Sequence, residues 1–361
     1  MEFQDDTKDT FGPPSPPYPP YPPYQPQVQP VQPPPRDRSS RRGGGTRAFW
    51  WFMFISSILG NIALFLLLIG TIAYFVMGGS GGLFEEHVIQ GGVHGEKIAV
   101  ISISGIIDSA QVDRVQEQLR MARKDEAVQG LIVKINSPGG TISASDQIYN
   151  ALRQYREKER QPVFAFMQGI AASGGYYAAS GCEQIVAEPT VITGSIGVIF
   201  SNLVVQDLFE NKLGIQPVVV KSGRRKDWPS SFRKPSEEEL TYINDRLIEP
   251  AYERFLQVVE TGRQGVLTME EIRPLADGGI YSAQEAKDQR LVDNIGYLDD
   301  AIKLITTAAG LQNPRVVEYK EMFRLVDLLG VHAKAAAGFK LDRRTLDELT
   351  TPEILYMWKG Y

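Results

Sequence analysis

Between Ala48 and Leu83 the chain carries no charged residue, and the apolar heart of this run, Phe49 to Met77, exceeds the roughly 20 residues a helix needs to cross a bilayer. A secretory signal peptide has a shorter apolar region close to the start of the chain. This run follows a long arm and has no clear small-residue cleavage site, so residues 48–77 read as a retained transmembrane anchor. Arg36, Arg38, Arg41, Arg42 and Arg47 precede it, and Glu85, Glu86 and His87 follow. The positive-inside bias therefore predicts a single pass through the cell membrane, with the N-terminal arm cytoplasmic and everything after Gly78 extracytoplasmic. Trp50, Trp51 and Tyr74 suit the aromatic belt at the two interfaces.

The first 35 residues hold 13 of the 23 prolines, interleaved with Tyr18, Tyr21 and Tyr24 and without apolar periodicity. Residues 1–47 are thus expected to form a disordered arm of polyproline character, an extended spacer or a lure for a small adaptor domain. Residues 78–96 read as a glycine-rich linker. Beyond it the chain has the material for a core, since 43% of all residues are hydrophobic and 22% charged. A net charge of -5 gives no nucleic-acid footprint. Cys182 is the only cysteine, so no intramolecular disulfide can form. Three histidines, His87, His94 and His332, are too few and too scattered for zinc chemistry. None lies between Gly95 and Val331, so a nucleophilic serine in that stretch needs another base.

From Lys97 onward strand and helix patterns alternate. Ile98–Ile103, Leu131–Ile135, Val163–Met167, Gln184–Ala187 and Pro217–Lys221 read as strands. Helices are expected through Val112, Val115 and Leu119, over Ser143–Glu157, Ala171–Ser180 and Leu203–Leu213, and from a Ser236/Glu239 capping box to about Glu260 with a kink near Pro250. Apolar strands alternating with helices predict an α/β fold with a mainly parallel sheet and flanking helices. The tail from Val316 suggests short amphipathic helices that pack or oligomerise.

Four segments can carry chemistry. Asn136-Ser137-Pro138-Gly139-Gly140 follows an apolar strand, and its glycines would let backbone amides point into a cleft as an oxyanion hole requires; a plain strand-to-helix turn has the same pattern. Ala171-Ala172-Ser173-Gly174-Gly175-Tyr176-Tyr177 puts a serine where a strand meets a helix, the logic of a nucleophile elbow without its first glycine. Small residues there also permit close helix-to-sheet packing. Thr193-Gly194-Ser195-Ile196-Gly197 is the third segment and Lys221-Ser222-Gly223-Arg224-Arg225-Lys226-Asp227 the fourth. A lysine acts as general base only where burial or cationic neighbours disfavour its charge, and Arg224 and Arg225 flank Lys226; an isolated lysine in a basic loop is most often simply solvated.

Taken together and in this order, the four segments resemble the short form of the signal peptide peptidase A family of serine proteases. The likeness extends to Ala276-Asp277-Gly278-Gly279-Ile280-Tyr281 and Leu291-Val292-Asp293-Asn294-Ile295-Gly296, and runs from about Lys97 to Ile305. The resemblance implies a crotonase-like (Clp protease-like) protease domain over residues 97–312; the proline-rich arm and residues 313–361, read from their own pattern as a C-terminal packing or oligomerisation segment, lie outside it. It implies Ser173 as nucleophile, Lys226 as general base, Ser195 orienting that lysine, and the amides of Gly140 and Gly174 as oxyanion hole. It also implies cleavage of apolar peptides such as signal-peptide remnants without metal or nucleotide, in a homo-oligomeric ring whose dyad can span adjacent subunits. Acyl-CoA processing on the same fold and an idle membrane scaffold are the competing readings.

Overall fold

The computed structural model describes residues 44–77, 84–322 and 353–358. The proline-rich arm, the glycine hinge, His332 and residues 323–352 of the tail lie outside the described residues. The chain divides into two compact units, residues 1–73 and 74–361.

The first unit is described by helix α1, Gly44–Met77. Its stretch Thr46–Thr71 is long and apolar enough to cross a membrane. Polar side chains inside it bond to the helix's own carbonyls, Asn61 Nδ2 to Ser57 O at 2.7 Å and Thr71 Oγ1 to Leu68 O at 2.8 Å. An apolar solvent demands such internal satisfaction.

The second unit opens with β1 (Phe84–Gln90) and β2 (Val93–Ser104), followed by α2 (Ser109–Lys124), β3 (Val128–Ser137), β4 (Gly139–Thr141) and α3 (Ile142–Glu159). Next come β5 (Val163–Ala172), α4 (Gly174–Ala179), β6 (Gln184–Ala187), β7 (Ile192–Gly194) and β8 (Ile199–Ser201). After a long irregular stretch stand α5 (Glu237–Ile243), α6 (Glu249–Gly262), α7 (Met269–Ile272), β9 (Ile280–Ser282), α8 (Ala283–Asp288), β10 (Asn294–Ile295), α9 (Leu298–Ala308), β11 (Pro314–Glu321) and β12 (Glu353–Met357).

The main sheet runs β1-β11-β2-β3-β5-β6-β10, with β7 on β5 and β9 on β7. From β11 to β10 every pairing is parallel; β1 and β9 add antiparallel edges. This is the expected α/β architecture. Strand alternation divides the core: Ala99, Ile101, Ile103, Leu131 and Val133 face α2, α3, α4 and α6, while Ile98, Val100, Ile132, Phe164 and Phe166 face Ala301, Ile302 and Ile305 of α9. Asp108 caps α2 by accepting from Gln111 N, and Thr141 caps α3 by accepting from Ala144 N.

Several expectations need correction. The helix expected over 203–213 is shorter, one α-helical step at Gln206–Asp207 running into a π segment, Leu208–Lys212, and 217–221 is irregular chain rather than a strand. Leu208, Leu213, Val218 and Val220 stay exposed, so nothing in this chain rewards ordering them. Part of the presumed linker is β1, and Val316 lies in β11, a central strand instead of an amphipathic helix. The long helix from Ser236 is interrupted by the π segment Asn244–Ile248, where Glu249 N–H reaches Asn244 O just ahead of Pro250. That widening moves the preceding turn out of the way of the proline ring. Ser236 does cap α5, but the Glu239 carboxylate turns to Arg233 instead of closing a capping box.

Candidate active site

Strand β5 stops at Ala172, and Ser173 turns the chain into α4 with φ 53° and ψ -115°. Only Arg160, Ser173, Ser195 and Arg290 among the described non-glycine residues have positive φ. Arg160 ends a helix and Arg290 sits in a turn. Both serines lie at the C-terminal edge of the sheet, where α/β proteins place their sites. Ser173 N donates to Gly194 O at 2.8 Å and Ser173 O accepts from Tyr177 N at 2.8 Å, so both sides of the turn are held. The residue is 1% exposed, and among the described residues its hydroxyl has no hydrogen-bond partner.

Three of the four segments converge here. Gly139, with φ +104°, lies so close to the turn that a Cβ on it would sit 2.8 Å from Gly174 N. A Cβ on Gly175 would sit 2.8 Å from Ser137 O, and one on Gly140 would strike Ile107 O at 2.0 Å. The glycines are thus dictated by backbone packing against backbone. Gly194 pairs with Ala172 across β5 and β7, which makes Ser195 the register neighbour of Ser173. Ser195 N donates to Gly279 O at 2.7 Å and Gly278 N to Ile196 O at 3.1 Å, which explains the Ala276–Tyr281 motif as the strut behind Ser195.

The Leu291–Gly296 motif is also a brace. Tyr176 Oη donates to Leu291 O at 2.8 Å, and burial pushes its phenol far above the usual range, so it stays a neutral donor. Asp293 accepts from Ile185 N at 2.7 Å and forms a two-pronged pair with the buried Arg263 at 2.9 and 2.7 Å.

A second small sheet covers the turn. Strand β12 lies between β4 and β8, antiparallel to both, with Tyr356 opposite Gly140, Met357 opposite Gly139 and Ile354 opposite Phe200. Trp358 N donates to Pro138 O at 2.8 Å, and a Cβ on Gly174 would come within 3.0 Å of Tyr356 O. An extended peptide backbone therefore already lies along the glycine strand beside Ser173. Tyr356 anchors it, stacked on Tyr177 with centroids 4.9 Å apart and donating from Oη to Ala251 O at 2.6 Å. Reading the sequence missed this strand; its signal was the isolated apolar run Ile354–Trp358 just after Pro352.

Among the described residues no hydrogen bond or ion pair links the fourth segment to the other three. Lys226 is exposed, on a turn closed by Lys226 N to Gly223 O at 3.1 Å, and its side chain makes no ion pair or hydrogen bond among the described residues. Ser195 likewise makes no side-chain bond to it. His87 is exposed on β1, in register with Glu318 of β11 and away from the turn. Among the described residues no cluster of His, Cys, Asp and Glu could hold a metal ion.

Comparison with known proteins agrees with this architecture. The Clp protease family profile matches residues 95–188, and the peptidase family S49 profile matches residues 155–312. A signal peptide peptidase SppA of Enterococcus faecium is 37% identical over 253 residues, 67% of this chain and 72% of that protein. Protease 4 of Salmonella typhi is 32% identical over 65% of this chain and 38% of its own length. The chloroplastic serine protease SPPA of Arabidopsis thaliana is 27% identical over 72% of this chain and 40% of its own. With a Clp protease-like α/β fold, a strained serine turn under a peptide strand and this likeness, the chain belongs to the signal peptide peptidase SppA family, peptidase family S49, and is a serine peptidase.

Proposed function

We propose that the chain is a membrane-anchored endopeptidase that cuts extended apolar peptides, such as signal-peptide remnants, with Ser173 as nucleophile and Lys226 as base. The observation that carries this reading is the positive-φ turn at Ser173 with an extended strand already seated along Gly139–Thr141 beside it. A substrate entering as β12 does would present a carbonyl to the Ser173 hydroxyl while the amides of Gly140 and Gly174 receive the developing oxyanion. Lys226 takes the serine proton, then protonates the leaving amine; water releases the acyl-enzyme.

Among the described residues Lys226 is exposed and has no carboxylate partner, and Ser173, 1% exposed, makes no side-chain hydrogen bond. That pairing of vacancies supports a dyad completed by an adjacent subunit of a homo-oligomeric ring, with Ser195 orienting the incoming lysine. The exposed apolar stretch around Val218 and Val220 supports the same arrangement, since a neighbouring copy would cover it. Helix α1 would keep the ring beside membrane-derived substrates, the arm cytoplasmic and the peptidase extracytoplasmic.

The test is turnover of a fluorogenic apolar peptide by the full-length protein in detergent. Ser173→Ala and Lys226→Ala are each expected to lower kcat/KM at least about 10³-fold. Co-assembling the two inactive variants is expected to restore part of the activity, because some interfaces then carry one intact serine and one intact lysine. Equal activity in all proteins would end the proposal, and hydrolysis of an acyl-CoA thioester in preference to the peptide would favour the competing chemistry on this fold.

A further inference from the structure

The loop that carries Lys226 is crowded with charge, yet Lys226 is left out of every ion pair in it. Asp227, its immediate neighbour in sequence, turns to Lys221, whose Nζ lies 2.6 Å from Oδ1. Arg233 approaches the other oxygen, Nε to Oδ2 at 3.6 Å. Lys221 Nζ also donates to Arg224 O at 3.1 Å, which fixes it across the base of the turn.

Two acids of α5 are engaged as well, while Glu237, exposed at the start of that helix, makes no ion pair among the described residues. Glu238 of α5 receives Arg224 at 2.6 Å, and the fully buried Glu239 receives Arg233 at 2.6 Å. Arg225 needs no carboxylate, because its guanidinium sits over the rings of Trp228 at 5.6 Å and Tyr242 at 4.6 Å. The carboxylates of Asp227, Glu238 and Glu239 are thereby taken by Lys221, Arg224 and Arg233, and among the described residues Lys226 and the exposed Lys234 are left without an ion pair. The Lys221 pair also holds the Asp227 carboxyl below the usual carboxylate range.

We propose that Lys221, assisted by Arg233, is a positioning residue for the peptidase reaction: it holds the Asp227 carboxylate so that this charge does not pair with Lys226. The inference rests on the reading of Lys226 as the base. A lysine ion-paired to an adjacent carboxylate stays protonated and cannot accept the serine proton, whereas one surrounded by cations and neutralised acids releases its proton more readily. Lys221 touches neither substrate nor reacting atoms; it acts through Asp227.

The experiment measures kcat/KM against pH for full-length wild type, Lys221→Met, Asp227→Asn and the double variant Lys221→Met/Asp227→Asn. Lys221→Met is expected to move the acid limb of the profile to higher pH by about half a unit to one unit, and to slow turnover at pH 7 about three- to tenfold. The double variant is expected to return to the wild-type limb, because the released carboxylate is gone. Lys221→Arg, which keeps the partner, is expected to keep the wild-type profile. An unshifted limb in Lys221→Met would overturn the inference. So would a double variant as slow as the single one, since a loop that merely collapsed without Lys221 gains nothing from Asp227→Asn. The two readings fail separately: retained activity in Lys226→Ala removes the base itself, whereas an inactive Lys226→Ala beside an unshifted Lys221→Met removes only the role of Lys221.

Discussion

Ser173 is held in a backbone conformation that costs on the order of 1–3 kcal/mol for a non-glycine residue, and such strain persists only where its surroundings over-determine it. Here the two backbone bonds at 2.8 Å and the contacts to Gly139 and Ser137 supply that constraint. The glycines around it are therefore steric necessities as well as candidate donors. A methyl group at Gly140 would meet the backbone of Ile107 and push β4 outward, carrying the Gly140 amide away from the oxyanion position. Gly140→Ala is expected to lower kcat about 10²-fold with a smaller change in KM, as measured by steady-state kinetics. An unchanged kcat would mean that this amide takes no part. At this scale much was legible in advance: Ser173, Gly140, Gly174 and Ser195 all lie in segments that the fold gathers at one sheet edge. The positive φ of Ser195 and the link from Tyr176 to Leu291 were not legible, because each depends on a partner more than 80 residues away in the chain.

Among the elements, those backed by local periodicity formed where expected, and those misread had a pattern whose meaning lay in a distant partner. The apolar residues of 217–221 have strand propensity but pair with no strand among the described residues, and they stay irregular. The tail from Val316 reads as short amphipathic helices by its Leu and Phe positions, yet β11 inserts between β1 and β2 and buries Val316, Val317 and Tyr319. Glu318 on that strand is mostly buried, which by itself would raise its carboxyl, but Lys134 of β3 and the Ser102 hydroxyl at 3.1 Å outweigh this and hold it below the usual range. A carboxyl lowered by folding contributes stability above its unfolded value of about 4.3, and that contribution is lost as the pH falls through the lower folded value. Glu318→Gln is accordingly expected to cost about 1–3 kcal/mol at pH 7 and progressively less towards pH 3, read from urea midpoints. The same loss at both pH values would exclude this linkage.

Over the whole molecule, the parallel sheet and its two core layers bring the glycine strand, the serine turn and the β7 edge to one place, and the last described strand then lies over them. On the proposed substrate path along β4, β12 would compete with substrate at the high local concentration of a tethered group, because it belongs to the same chain. Deleting residues 353–361 is expected to lower KM for a strand-forming apolar peptide about tenfold, even if the loss of Tyr356 from the core lowers the melting temperature. A KM that does not move would mean that substrates reach Ser173 by a path that β12 leaves open.

The sequence by itself determined the apolar helix, the α/β alternation and the chemistry available, since periodicity, missing histidines and glycine-flanked serines are local or compositional properties. Only the tertiary structure decided that β11 belongs to the central sheet, that β12 lies along β4, and that Ser173 is buried in a positive-φ turn while Lys226 is exposed on its loop. Those outcomes depend on which distant backbones and surfaces find each other, and no pattern within a short stretch of residues encodes its own partner.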